Sequence, residues 1–185
     1  MRDGPAENDH VGMPEMQTEI PALPVLVPLT AVLLLAAWLR FRGDRPRLLP
    51  ALAGALYLPA VVGVTLLPLQ IATGIYANQV AWYQKASYLP IITIDPLTFV
   101  LNIVMVMPFG FLLPMLRRQT SIATVAWASL ALSATIELTQ FAANVLVSSG
   151  RTPDVNDLIA NTLGGVLGFL VWRATRRVLE PALSA

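Results

Sequence analysis

Seven polar residues in an otherwise apolar C-terminal half could do chemistry: Asn102, Glu137, Gln140, Arg151, Asp154, Asp157 and Asn161. Glu137 sits inside the apolar run ATIELTQ, where partial burial would fit a carboxyl for general acid or base work. Asp154 and Asp157 could orient Glu137, or offer oxygen ligands to a divalent ion. Arg151 suits planar, bidentate recognition of a phosphate or carboxylate. The three amides could bond amide or sugar groups. Spacing groups these residues further. Glu137, Gln140 and Asn144 follow i, i+3, i+7 and share one helix face, and Asp154, Asp157 and Asn161 repeat the pattern. Other chemistries are removed by composition. There is no cysteine, and the one histidine, His10, lies among acids in a polar tail. Disulfides, thiolates and cysteine-ligated metals are excluded, and histidine catalysis nearly so.

These residues need elements that hold them, and the sequence supplies long apolar segments. Hydrophobic residues make up 56% of the 185 and charged residues 12%, against about 25% charged in a soluble domain. Five segments approach or exceed the roughly 20 residues that cross a hydrocarbon core. They run over 20–39, 48–71, 96–116, from near 121 to about 147, and from about 155 to 172. The prediction is an all-α, polytopic membrane protein of about five transmembrane helices. Pro59 and Pro108 fall inside their spans and should bend them.

Arginines give the orientation. Arg40, Arg42, Arg45, Arg47, Arg117, Arg118, Arg173, Arg176 and Arg177 fall on one side if five spans alternate, nine of the twelve basic residues. The positive-inside rule then places the C-terminus in the cytoplasm and the N-terminus outside. The chain divides into an acidic, disordered extracytoplasmic tail (1–19), two N-terminal spans (20–71), an extracytoplasmic loop (72–95), a core of three spans (96–177) and a cytoplasmic tail (178–185). In the loop, Tyr76, Trp82, Tyr83 and Tyr88 suit the headgroup region. It reads as an interfacial segment or, alternatively, as a lid over an outward pocket.

By the helical rise of about 1.5 Å per residue, Glu137 stands roughly 24 Å above Ser121, and Asn102 and Asn161 lie about 9 Å inside the outer ends of their spans. The polar groups therefore gather in the outer third. Below Asn161, Gly164, Gly165 and Gly168 make a small-residue seam of the GxxxG kind, which lets helices approach closely in a membrane. Plainer readings stand beside these. Thr152-Pro153-Asp154 is a good helix start, with threonine as N-cap. Arg151 could pair with one of the acids, and Asn161 could be interhelical glue. Ionisable groups at membrane depth nonetheless favour a functional site.

The runs NIVMVMPFGFLLP, IELTQ and RTPDVNDLIANTLGGVLGF, in that order, resemble the VanZ-like family, named for a teicoplanin-resistance membrane protein. The resemblance covers roughly residues 95 to 170, and the first two spans match weakly. It implies a multi-pass protein of the bacterial cytoplasmic membrane and cell envelope, in a family sometimes linked to lower susceptibility to lipoglycopeptide antibiotics. By position, the family's characteristic polar residues fall on Asn102, Glu137, Gln140, Arg151, Asp154, Asp157 and Asn161.

Three functional readings follow. In the first, an outward polar pocket binds or shields a membrane lipid, a lipid-linked cell-wall precursor or a lipoglycopeptide, with Asn102, Gln140, Arg151, Asp154 and Asn161 as ligand contacts. In the second, the protein is a membrane-embedded enzyme acting on a lipid-linked or glycan substrate, with Glu137 and Asp157 as catalytic residues. In the third, the cluster only locks three spans together. No cofactor or resident metal is expected. Nucleic-acid binding is not expected either, since topology accounts for the arginines.

Overall fold

The computed structural model describes residues 17–77, 79–91, 94–117 and 119–183. Five helices follow one another: α1 (Ala22–Phe41), α2 (Arg45–Leu66), α3 (Pro96–Leu116), α4 (Ile122–Val147) and α5 (Val155–Leu183). All five are long and apolar enough to cross a membrane. Large apolar side chains such as Leu23, Val32, Leu49, Val104 and Leu146 stay on the outside. In water that surface would be a liability, whereas hydrocarbon costs it nothing. The helices satisfy their own backbone groups, as a span must.

Two short strands depart from the sequence reading. β1 (Gln17–Ile20) pairs antiparallel with β2 (Leu69–Ala72), Gln17 opposite Ala72 and Ile20 opposite Leu69. The sequence pattern places residues 17–19 in the tail and 69–71 in the second span. The reason for the second difference is Pro68. The residue before a proline is pushed to extended backbone, and Leu67 has φ −117° and ψ 152°. The rest of the tail, residues 1–16 with His10, lies outside the described residues, as does Arg118. At the other end, α5 continues as helix past its closing arginines to Leu183, into the segment assigned to a tail.

The prolines do not break the helices: α2 is continuous through Pro50 and Pro59, and α3 through Pro108 and Pro114. Pro108 cannot donate to the carbonyl of Val104. One residue further on, Tyr57 Oη of α2 donates to Met105 O at 2.8 Å, so a neighbouring helix supplies a donor at the weakened turn.

The core is the contact of α3 with α5, flanked by α4 and α2, while α1 packs mainly on α2 and buries none of its side chains. Glycine makes the central contact possible. A Cβ on Gly164 would collide with Ile103 O, one on Gly168 with Met107 O, and one on Gly110 with Gly165 O. A Cβ on Gly165 would strike Ser129 Oγ of α4. Gly164 and Gly168 thus face α3, and Gly165 sits where all three helices meet. The partner glycine on α3 is Gly110.

The alternating helices gather two unlike ends. Arg40, Arg42, Arg45, Arg47, Arg117, Arg173, Arg176 and Arg177 lie at one end, where Thr120, Ser121 and Trp172 border a basic groove with the last three arginines. Asp95, Glu137, Arg151, Asp154 and Asp157 lie at the other. Side chains start two of the helices: Asp95 accepts from Thr98 N at 3.1 Å, and Ser121 from Thr124 N at 3.1 Å.

Two predictions test this frame. Gly168→Val should lower the melting temperature of the detergent-purified protein, since overpacking costs about 1–3 kcal/mol or more. Gly54→Ala, with open space at its Cβ, should leave stability unchanged or raise it slightly. The Thr98 hydroxyl and then its N–H hold the Asp95 carboxyl below the usual aspartate range. A depressed carboxyl stabilises above its unfolded pKa and loses that contribution as pH falls through its folded value. Acidification through that range should therefore lower the hydrogen-exchange protection factors in the first turn of α3, after correction for the intrinsic pH dependence of exchange. Asp95→Asn keeps an N-cap and should flatten this pH response.

Candidate functional site

Six of the seven polar residues surround one cavity of about 230 Å³ at the carboxylate end. Asn102 comes from α3, Glu137 and Gln140 from α4, Asp157 and Asn161 from α5, and Arg151 from the turn before α5, with Val64 and Thr65 of α2 closing one side. Asp154 is the exception. It lies outside this cavity, with Asp95 and Asp157 along a neighbouring cleft and with Glu137 along an apolar groove.

The difference follows from where α5 begins. The helix starts at Val155, and Asp154 Oδ1 accepts from Asn156 N at 2.8 Å and from Asn156 Nδ2 at 2.9 Å. That is the geometry of an N-cap, so Asp154 takes the capping role the sequence reading gave to Thr152. The backbone N–H of Asp154 in turn donates to Glu137 Oε2 at 2.9 Å. A half-turn of backbone thereby fixes one oxygen of the deeper carboxylate.

Pairing with an acid, one of the two readings of Arg151, is not what the structure shows. Among the described residues it forms no ion pair. Its Nη1 donates to Val64 O at 3.4 Å and its Nη2 to Leu67 O at 3.0 Å. The last carbonyls of a helix lack intrahelical partners and carry the negative end of the dipole, so a cation there is favourable. Gln140 serves the same helix end, its Nε2 donating to Thr65 O at 2.9 Å.

Asn161 is 1% exposed, and its Nδ2 donates to Ser133 Oγ at 2.9 Å. Ser133 donates to Asp157 O at 3.3 Å. A hydroxyl has one proton. Since Ser133 gives that proton to the Asp157 carbonyl, it must accept from Asn161, which fixes the amide with Nδ2 toward Ser133. Asn161 Oδ1 is then left buried with no partner.

Two residues that the site reading passed over hold the loop of residues 72–95 in place. Lys85 is only 7% exposed, and its Nζ donates to Asn144 O at 3.1 Å while Asn144 Nδ2 returns a bond to Lys85 O at 3.3 Å. Asn144 O also accepts from Ser148 N at the end of α4, so a buried lysine serves a helix C-terminus as Arg151 does. Asn156 Oδ1 accepts from Ile91 N at 2.7 Å. Between these points, Ser87 N donates to Pro153 O and Val155 N to Ser87 O. The signal in the sequence was a single lysine in an aromatic-rich outer loop, and an asparagine inside the motif before α5.

The loop so anchored roofs the groove of about 390 Å³ lined by Trp82, Tyr88, Leu138, Phe141, Leu158 and, at its polar margin, Glu137 and Asp154. Trp82 meets Phe141 edge to face, with ring centroids 6.5 Å apart. Leu138 is 67% exposed, so the groove opens sideways between α4 and α5. Glu137 borders both spaces. In chemical terms the site offers an amphipathic ligand a polar cavity and an apolar groove that share one carboxylate.

Asn144→Leu removes the side-chain tie to Lys85 and should loosen the roof. Hydrogen exchange of residues 82–88 should accelerate about tenfold or more, as expected when a buried bond worth about 1–3 kcal/mol is lost, with α3 and α5 protection unchanged.

Comparison with known proteins follows the same outline. No curated protein and no solved structure matches the chain. The VanZ/LLP1 family model matches residues 30–177, which takes in most of α1, all of α2 and the loop as well as the three spans that carried the resemblance. Five membrane-length helices, the cavity that four of them line and a match over most of the chain lead to one conclusion: this multi-pass membrane protein belongs to the VanZ/LLP1 family.

Proposed function

We propose that the protein binds an amphipathic component of the bacterial cell envelope, its polar head in the cavity and its apolar part in the groove. A membrane lipid or lipid-linked cell-wall precursor fits this description, as does a lipoglycopeptide such as teicoplanin, for which binding would mean antibiotic resistance by shielding. The observation that carries the reading is the meeting of the two spaces at Glu137. A water-soluble ligand has no use for the groove, and a plain hydrocarbon none for the carboxylate. The groove falls in the range of about 300–1,000 Å³ typical of small-molecule sites. The arginine-rich end supports a cytoplasmic-membrane orientation with the cavity outside. That is the face where cell-wall precursors and such antibiotics are met.

A second reading, an enzyme acting on the bound lipid-linked or glycan substrate, is favoured by one further observation. Glu137 and Asp157 line the same cavity, and the Asp154 N–H holds only one Glu137 oxygen. The other oxygen could take a proton from water or a ligand hydroxyl.

Photo-crosslinking tests the binding reading. A diazirine-tagged isoprenoid glycolipid in proteoliposomes should label peptides containing residues 82–88 and 137–158. Leu138→Trp should fill the groove and lower labelling several-fold, while Leu146→Trp, outside the groove, leaves it unchanged. Equal labelling of α1 and α2 would sink the proposal. Turnover that falls about 10²-fold or more in Glu137→Gln, the usual size of a general acid–base effect, would establish the enzyme reading.

A further inference from the structure

The cavity holds more acceptors than donors, and that imbalance states what kind of head it takes. Gln140 Nε2 and both terminal nitrogens of Arg151 are turned onto α2 carbonyls, and Asn161 Nδ2 onto Ser133. Among the cavity's amide and guanidinium groups, Asn102 Nδ2 is the one that makes no hydrogen bond of normal geometry, and its side chain lies beside the Asp157 carboxylate. On the accepting side stand the second oxygen of Glu137, the Asp157 carboxylate and the orphaned, fully desolvated Asn161 Oδ1. Asp95 and Asp154 lie along the adjoining cleft, so the cavity and the cleft together are lined by four acids and one base, Arg151. Resting on the lipid-binding reading above, we propose that the cavity recognises a primary ammonium group carried by the amphipathic ligand, held by Glu137, Asp157 and Asn161 Oδ1.

Each competing head group fails on the same inventory. A phosphate or carboxylate would bring acceptors to acceptors and negative charge to a surplus of it. A sugar would offer donors, but each hydroxyl also brings acceptor lone pairs, and the cavity has little left to donate. A divalent ion wants six or more oxygens for calcium, or a near-octahedral set for magnesium. Two carboxylates and one amide oxygen beside a guanidinium and an NH₂ are a poor match, and no cluster of three His, Cys, Asp or Glu side chains suited to a metal occurs among the described residues. An ammonium donates three times and accepts nothing. Three acceptors on two helices, one of them buried and unmatched, are its complement.

The test uses the full chain in nanodiscs of neutral lipid, with dodecylammonium, dodecyl phosphate and dodecyl glucoside as probes of one chain length. Dodecylammonium should bind the protein-loaded discs most tightly. Asp157→Asn and Glu137→Gln should each weaken it about tenfold, the loss expected for one charge-assisted bond, while the other two probes change little. Two variants guard against misfolding of one, and each is checked by its melting temperature. Tighter binding of the phosphate or glucoside would overturn the ammonium assignment and leave lipid binding standing. Displacement of dodecylammonium by millimolar calcium chloride would also overturn it, in favour of a cation site. If none of the probes binds above empty discs, both readings fail.

Discussion

The site depends on how closely the backbones of α3 and α5 approach. Gly110, Gly164 and Gly168 lie where a single added methyl group would meet a carbonyl of the facing helix. In lipid no hydrophobic force pulls helices together, so close packing has to do it. The seam lies one turn below Asn161. Drawing the helices together there sets Asn102 of α3 against Asp157 and Asn161 of α5. Gly165 extends the contact to Ser129 of α4, whose C-terminal turns then carry Glu137 and Gln140 to the same place. Small residues in the apolar half thus decide where the polar residues stand.

A second constraint sorts those polar residues by task. Each helix end leaves backbone groups without partners, and at the carboxylate end several polar side chains answer them. Asp95 and Asp154 serve the N-termini of α3 and α5, Lys85 the C-terminus of α4, and Arg151 with Gln140 that of α2. What these duties leave over in the cavity is a short set: Asn102, Asp157, Asn161 Oδ1 and one oxygen of Glu137. A charge near a membrane surface is thus first a structural group, and its use for binding depends on what the helix ends do not require.

Much of this was legible in the sequence. The five spans follow from apolar length alone, and the grouping of Glu137 and Gln140 with Asp157 and Asn161 follows from helical spacing plus a common depth. The failures share a cause. Asp154 was grouped with Asp157 by spacing, but it stands just before the helix and so leaves the shared face. For Arg151, pairing with an acid was one reading because unlike charges attract, while its partners among the described residues are carbonyls, which sequence reading does not register as charges. Lys85 and β1 depend on contacts between segments far apart in the chain, and no periodicity reports those. Gly110 was visible, yet its role needed α5 beside it.

The glycine contact also fixes an order of construction. α3 and α5 are separated in the chain by a complete span, so the face of α3 that bears Ile103, Met107 and Gly110 leaves the ribosome well before its partner exists. Until α5 has entered the bilayer that face lacks its closest partner, and Asn102 lacks the wall that Asp157 and Asn161 supply. Insertion of the final helix is therefore the step that both closes the core and creates the cavity, and a nascent chain halted before it holds the spans without the site.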